Sequence, residues 1–337
     1  MEFPKLFFCE EERSGFLIPE MMKRAWAAEL EVLEALKRAC RENGLQYFAN
    51  AGTLLGAVRH KGYIPWDDDI DICMPRKDYE ILMANFRTML PAGFVIEGTY
   101  ADEERLRDAN DKIQSRIIAD EYYFSLPEFM TYFHGYPFQR VGIDIFPYDY
   151  MPADLDKQYE LMYVYHQAYF TDANWELFRE QGKLKEQLKG LQGYLGGDFS
   201  GENEKEVRNS LRRAAEKWIA QVDESEGVYI TNAQTRGFGK SKEQFKGYRK
   251  ERKEWYSESV ELPFENTMID APVEYEAVVK EIYGQDCLTN YKKYAASHEY
   301  PFYKNKEPEM KRLLEESGIT LSLEEFCRNW HEMNGGK

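Results

Sequence analysis

The sequence predicts an α+β fold. A mixed sheet with flanking helices occupies residues 1–152, and a mainly helical elaboration over 153–337 packs on that core and completes the site. Three observations carry this expectation. Met22, Trp26, Leu30, Leu33 and Leu36 recur at helical spacing ahead of an "NG" stop signal. "DIDICM" and "GIDIF" alternate acidic and apolar residues, the period-two mark of a strand with one wet and one buried face. From residue 155 the chain switches to long helical patterns rich in Glu, Lys and Gln.

Taken in order, residues 20–43 form the first helix, "LQYFANAG" a short strand running into a glycine turn, and "TLLGAVRHKG" a short helix closing at Gly62. Residues 69–74 follow as a strand, Pro75 ends it, and "RKDYEILMANFRTML" continues as a helix. "AGFVIEG", "DKIQSRIIA" and "RVGIDIFPYDYMP" supply three more strands, each bounded by Gly, Pro or acidic residues. Within 155–225 the glycine-rich "LQGYLGGDFSGEN" reads as a loop between two helices. "GVYITNAQ" is a strand, "YSESVELPFENTMIDAP" a hairpin, and "VEYEAVVKEIYG" a helix that starts after Pro272 and stops at Gly284. The final stretch of the chain reads as mixed and peripheral.

Composition narrows the function classes. A net charge of −16 and a pI near 5.0 exclude a general nucleic-acid binder. Partners are neutral, cationic, or anionic through a metal. The cysteines Cys9, Cys40, Cys73, Cys287 and Cys327 stand singly, which suits reduced thiols and shows neither a disulfide framework nor a zinc motif. The first residues carry no signal-peptide pattern, and no window approaches the ~18 apolar residues of a membrane span. The expectation is a cytoplasmic protein without a transmembrane segment, with peripheral contact at the inner membrane face left open.

The stretch "PWDDDIDICM" places Asp67, Asp68, Asp69 and Asp71 together with no basic residue between them. On a strand, Asp69 and Asp71 project from one face ~7 Å apart, where two carboxylates can share a hard divalent cation. Held there without a cation they repel, unless well solvated. On this stretch alone, a solvated turn and a metal site are equally open. An EF-hand is excluded, because the sixth and twelfth positions from Asp67 are Ile72 and Asp78. Two further features favour the metal: "ANAGTLLG", where Gly52 and Thr53 can offer backbone N–H groups and a hydroxyl to a phosphate, and "GIDIF", where Asp144 stands between two isoleucines.

At these residues the sequence resembles a known family. "AGTLLGAVRHKGYIPWDDDIDICMPRKDYE", "GIDIFPYDYMP" and "LPFENTMIDAPVEYEAVVKEIYGQD" look like the three blocks of the LicD-type phosphotransferases, the group that includes the fukutin-related proteins. The likeness is dense over 45–82 and 141–152, present near 255–286, and thin over 155–230. It implies a polymerase-β-like nucleotidyltransferase core, with Gly52-Thr53, Asp69-x-Asp71 and Asp144 at the pattern's three positions. It further implies Mg²⁺, with Mn²⁺ as an alternative, and a CDP-alcohol donor. Phosphocholine would pass from CDP-choline to a hydroxyl of a glycan or glycolipid acceptor, as in lipopolysaccharide or teichoic acid biosynthesis, releasing CMP.

Within that reading Asp69, Asp71 and Asp144 are the catalytic and metal-binding candidates, and Asp144 is either a ligand or the base for the attacking hydroxyl. Gly52, Thr53, Arg59, Lys61, Asp68 and Lys112 are the substrate-side candidates, although Asp67 and Asp68 suit a turn or N-cap-like role better than ligation. Trp66 reads as core and His60 as surface. A choline head group would need an aromatic cage whose members the sequence does not single out. The basic segment 240–255 reads as an exposed amphipathic helix or a dock for an anionic partner. The alternative enzyme on the same fold adds NMP to a small molecule or protein and releases pyrophosphate. A non-catalytic binding domain would not need all three carboxylates.

Overall fold

A computed structural model describes residues 1–108, 114–234, 242–245, 251–289 and 299–334. After a single 3-10 turn at Lys5–Phe8 comes a small hairpin, β1 (Glu11–Arg13) and β2 (Phe16–Ile18), which the sequence reading did not isolate. Helix α1 (Glu20–Asn43) begins after an extended Pro19, with Glu20 in its first turn where an acid offsets the dipole. Gly44, at φ 65, closes it in the left-handed region that glycine adopts without steric cost. The elements β3 (Phe48–Ala49), α2 (Ala51–His60), β4 (Asp71–Pro75), α3 (Arg76–Met89) and β5 (Phe94–Glu97) follow. Next come α4 (Glu104–Asp108), β6 (Ser115–Ala119), α5 (Leu126–Tyr132) and the ten-residue β7 (Gly142–Met151).

These strands form one mixed sheet in the order β3-β4-β7-β6-β5. β4 and β7 run parallel at its centre and the other neighbours are antiparallel. The expected mixed sheet with flanking helices is thus present. One boundary differs: β4 starts at Asp71, so Asp69 lies in the connection ahead of the strand rather than on it. The C-terminal half of β7 leaves this sheet and pairs Asp149–Met151 with β8 (Tyr229–Thr231), which in turn pairs with β9 (Glu251–Arg252).

Four helices follow β7: α6 (Leu155–Ala173), α7 (Trp175–Glu180), α8 (Leu184–Leu195) and α9 (Glu204–Ile219). Asp154 caps α6 by accepting the N–H groups of Asp156 and Lys157. α8 takes in the first part of the glycine-rich stretch and stops at Gly196, so the loop is shorter than its composition suggests. These helices bury their own cluster around Met162, Tyr165, Leu211, Ala215 and Ile219. The short α10 (Lys242–Phe245) contributes Phe245 to it; the rest of the basic segment before residue 251 lies outside the described residues.

The remaining elements return to the sheet. The hairpin β10 (Ser259–Phe264) and β11 (Thr267–Pro272) turns at Glu265 and Asn266, and α11 (Tyr275–Tyr283) stops at Gly284. α12 (Pro301–Glu316) and α13 (Leu323–Asn334) are not peripheral. Tyr303, Met310, Leu314, Leu323 and Cys327 belong to the same buried cluster as Trp26, Ile72 and Ile145. The sequence hid this because three or four apolar residues per helix suffice to seat it, and the rest of each helix is polar. The five cysteines are free thiols. Among the described residues, no helix is long and apolar enough to cross a membrane.

One buried ion network ties the α6–α9 helices to the sheet. Arg76 opens α3 and grips Asp149 of β7 through Nε and Nη2, both at 2.7 Å, while its Nη1 reaches Glu216 of α9, also at 2.7 Å. Glu216 also accepts from the Tyr165 hydroxyl at 3.0 Å and the Gln234 side-chain amide at 2.9 Å. Burial drives the Asp149 pKa up, and Arg76 offsets only part of that. Replacing Arg76 by Ala strands two buried carboxylates, so we expect a loss of about 3–5 kcal/mol in urea unfolding. A loss below about 1 kcal/mol, the level of an exposed pair, would show that the network does not fasten the helices.

Candidate active site

The acidic stretch is held by its backbone. Trp26 of α1, stacked on Tyr63 at 4.6 Å, donates its indole N–H to the Asp67 carbonyl at 2.9 Å. The Asn50 amide donates to the Asp71 carbonyl at 2.9 Å, and the Asp71 amide donates to the Thr53 hydroxyl at 2.8 Å. The Asp144 amide closes the frame by donating to the Ile70 carbonyl at 2.9 Å. From the far end of the chain, the Tyr300 amide donates to the Trp66 carbonyl at 3.3 Å and the Tyr303 amide to Asp68 Oδ2 at 2.8 Å. Ala51, at the turn from β3 into α2, sits at φ 43, a strained value for a residue with a Cβ.

This frame confines four carboxylates. Asp71 and Asp144 are direct register partners on the parallel strands β4 and β7, so they project from one face. Asp67 joins them from the connection: its Oδ2 lies 2.9 Å from where a Cβ on Gly52 would be, so glycine leaves room for that carboxylate. Burial, followed by the charges of Asp69, Asp144 and Asp67, holds the Asp71 pKa well above the ordinary carboxylate range. Burial and then Asp69 push Asp67 up to about 8. Glu29 of α1, whose carboxylate accepts the Tyr63 hydroxyl at 2.9 Å, is raised first by burial and then by Asp68 and Asp69.

The register extends the polar row across the sheet. Asp144 pairs with Arg116 of β6, and Arg116 with Glu97 of β5, so Asp71, Asp144, Arg116 and Glu97 share one face. Arg116 donates through Nε to Asp144 Oδ1 at 2.7 Å and lies 3.9 Å from Glu97, which Arg140 also pairs with. Burial works against the Arg116 charge, but Asp144 and Glu97 outweigh it and raise its pKa. Above this row α1 and α12 close a small cavity of about 20 Å³, room for one water, lined among others by Glu29, Asp69, Arg116, Asp144, Tyr303 and Lys306.

The donor set is oxygen-only and like-charged, which is the chemistry a hard dication requires. Among the described residues, however, no three His, Cys, Asp or Glu side chains are already gathered as a metal would hold them. Asp144 is instead turned onto Arg116. A cation held here would need the aspartates to turn inward and would compete with Arg116 for Asp144.

The other residues singled out from the sequence fall in distinct places. Gly52 and Thr53 stand beside Asp67 and Asp71 as described. Asp68 is buried, and its Oδ2 accepts the N–H of Tyr303 in the first turn of α12, a capping contact made from outside that helix. Arg59 donates to the Cys287 carbonyl at 3.3 Å, and Lys61 is exposed at the end of α2. Trp66 is buried against Phe16. Lys112 lies outside the described residues. Arg116 and Lys306 were not anticipated. Arg116 carries a readable sign, the lone charged residue in "SRIIA", whereas Lys306 sits on a helix with no sequence mark of its place.

Thr53 supplies the acceptor for the first amide of β4. Thr53→Val should cost about 1–3 kcal/mol by leaving that partly buried N–H without its partner, while Thr53→Ser should retain most of the stability. Equal losses for the two variants in thermal or urea unfolding would contradict this.

Comparison with known proteins points one way. Residues 44–176 match the family described as "LicD/FKTN/FKRP, nucleotidyltransferase domain". The chain is 47% identical over 51 residues to the lipopolysaccharide cholinephosphotransferase LicD of Haemophilus influenzae, covering 15% of this chain and 19% of that protein. It is 50% identical over 50 residues to an uncharacterized protein of Rickettsia typhi, covering 15% of each chain. With an uncharacterized protein of Rickettsia prowazekii the identity is 54% over 37 residues, 11% of this chain and 14% of the relative. The chain therefore spans less than a fifth of the length of the curated relatives it matches. Residues 44–176, which carry the Gly52-Thr53 turn, the aspartate stretch and Asp144, are thus the part of the chain that is similar to the LicD family.

Proposed function

We propose that the protein transfers a phospho-alcohol, with phosphocholine the first candidate, from a CDP-linked donor to a hydroxyl of a cell-surface glycan or its lipid-linked precursor. The observation that carries this reading is the pairing of Asp71 with Asp144 on adjacent parallel strands, with Asp67 and Asp69 beside them, on a sheet face closed by two helices. The kinship with a cholinephosphotransferase supports the phosphocholine choice. A nucleotidyltransferase-type core accords with the mixed sheet and with the description of the matching family.

In this reading Asp69, Asp71 and Asp144 hold Mg²⁺ or Mn²⁺. Bound there, the ion would neutralise charge on the donor diphosphate and on the departing phosphate. The acceptor oxygen forms a bond to the phosphorus that carries the alcohol, the bond from that phosphorus to the bridging oxygen breaks, and CMP leaves with the bond's electron pair. The proton of the acceptor hydroxyl passes to Asp144 or, if Asp144 is wholly engaged by the ion, to solvent. Thr53 fixes Asp71 by its main chain, and Gly52 leaves space for Asp67. Asp68 fastens α12 over the pocket.

The test is CMP release from CDP-choline, CDP-ethanolamine, CDP-glycerol and CDP-ribitol at equal concentration with Mg²⁺ and a glycan acceptor. We expect turnover of at least one donor, complete loss in EDTA, and recovery on adding Mg²⁺. Asp71→Asn should lower turnover by at least ~100-fold. The same variant should raise the melting temperature of the metal-free protein, because it removes one of the mutually repelling charges. Preference for a polyol donor would keep the mechanism and refute choline. Pyrophosphate release from an NTP with no CDP-alcohol turnover would refute the donor class.

A further inference from the structure

Lys306 projects from α12 into the cavity that Asp69, Arg116 and Asp144 line. Arg116 and Arg140, the cations beside it, are engaged by Asp144 and Glu97. Lys306 makes no ion pair and no hydrogen bond among the described residues. Burial, and then the like charge of Arg116, pull its pKa down to about 8 against the smaller opposing pull of Glu29 and Glu97, so it remains a cation at neutral pH. Glu29 and Glu97 offset only part of the cost of holding a half-buried ammonium beside Arg116 and Arg140, so a direct anionic partner for Lys306 would relieve the rest.

Its placement is not left to chance. The first turn of α12 is fastened to the acidic stretch by the Tyr300 amide on the Trp66 carbonyl, the Tyr300 hydroxyl on the Pro65 carbonyl and the Tyr303 amide on Asp68. Lys306 lies three residues beyond Tyr303 on the same side of the helix, and both line the cavity. The hydrogen bonds that immobilise the aspartate stretch therefore also deliver an ammonium to the opposite wall. Aspartates attract a cation from one side, and Lys306 presents positive charge from the other.

We propose that Lys306 is a substrate-contacting residue that binds a non-bridging phosphate oxygen of the nucleotide-linked donor, on the side of the diphosphate turned away from the aspartates. Asp68 is a positioning residue that sets α12 for this contact. No proton transfer is asked of Lys306; it neutralises anionic oxygen in the bound donor and in the nucleoside monophosphate that leaves. The assignment rests on the phosphate-transfer reading above.

The test compares Lys306→Met, which keeps most of the stem and removes the charge, with Lys306→Arg, which keeps the charge. CMP and pyrophosphate are titrated into the full chain with Mg²⁺ by calorimetry, alongside Mn²⁺ titration, donor KM and kcat, and thermal melting. We expect Lys306→Met to weaken CMP and pyrophosphate binding by about 10–100-fold and Lys306→Arg to restore most of it. The Met variant should bind Mn²⁺ at least as well as the wild type and melt no lower, because a half-buried charge without a direct partner has been removed. Unchanged CMP affinity in Lys306→Met overturns the proposal, as does a lowered melting temperature that Lys306→Arg does not rescue. A wild-type protein that binds neither CMP nor pyrophosphate overturns it as well. Pyrophosphate binding that depends on Lys306, without turnover of any CDP-alcohol, would support the contact while refuting the donor. Turnover of a CDP-alcohol that is indifferent to Lys306 would do the reverse.

Discussion

Asp71 and Asp144 face each other across two parallel strands with Asp67 and Asp69 alongside, and the repulsion among these carboxylates is what the surrounding structure is built to withstand. At the ~4 Å that shared ligation implies, each like-charged pair costs about 4 kcal/mol in a half-buried setting. Free side chains would splay apart. Here only the side chains can turn, as Asp144 does onto Arg116, because Trp26, Asn50, Thr53, Ile70, Tyr300 and Tyr303 hold the main chain or the flanking Asp68 in place. What remains is relief by protonation, by Arg116, or by a bound cation. Burial and mutual repulsion raise the pKa values of Asp67 and Asp71, and Arg116 is already on Asp144. A cation is the third form of the same relief.

The rest of the architecture follows from protecting that arrangement. The sheet centre supplies two parallel strands whose starts place Asp71 and Asp144 side by side, and β6 and β5 extend the face with Arg116 and Glu97. α1 closes the face from the N-terminal side, with Glu29 pointing into the cavity and Trp26 gripping the acidic stretch. α12 closes it from the C-terminal side. The α6–α9 helices have their own apolar cluster and meet the sheet through Arg76, Asp149 and Glu216. Removing Arg76 therefore tests attachment of the helices, while the aspartates test the site.

Much of this was legible in the residues. Periodicity and end signals placed α1, α3 and α11 to within a few residues, because each has an apolar stripe and a Pro or Gly at its ends. The aspartate strand and the Asp144 strand were legible for the same reason. Register was not. Period two says that Asp71, Asp144, Arg116 and Glu97 each stand on one face of a strand, but only pairing makes them one row. Asp69 was misplaced on the strand because alternation continues one step past the point where pairing begins. The contributions of Trp26, Tyr303 and Lys306 are contacts between distant parts of the chain, and a single sequence carries no local mark of them.

The central claim is that the clustered aspartates are a cation site whose charge balance Arg116 keeps until the ion arrives. A crystal grown with Mn²⁺, with anomalous scattering recorded at the manganese edge, tests it most directly. The account predicts an anomalous peak among Asp69, Asp71 and Asp144, with the Asp144 carboxylate drawn away from its 2.7 Å contact with Arg116. An intact Arg116–Asp144 pair with no peak among these carboxylates at saturating Mn²⁺ would contradict it.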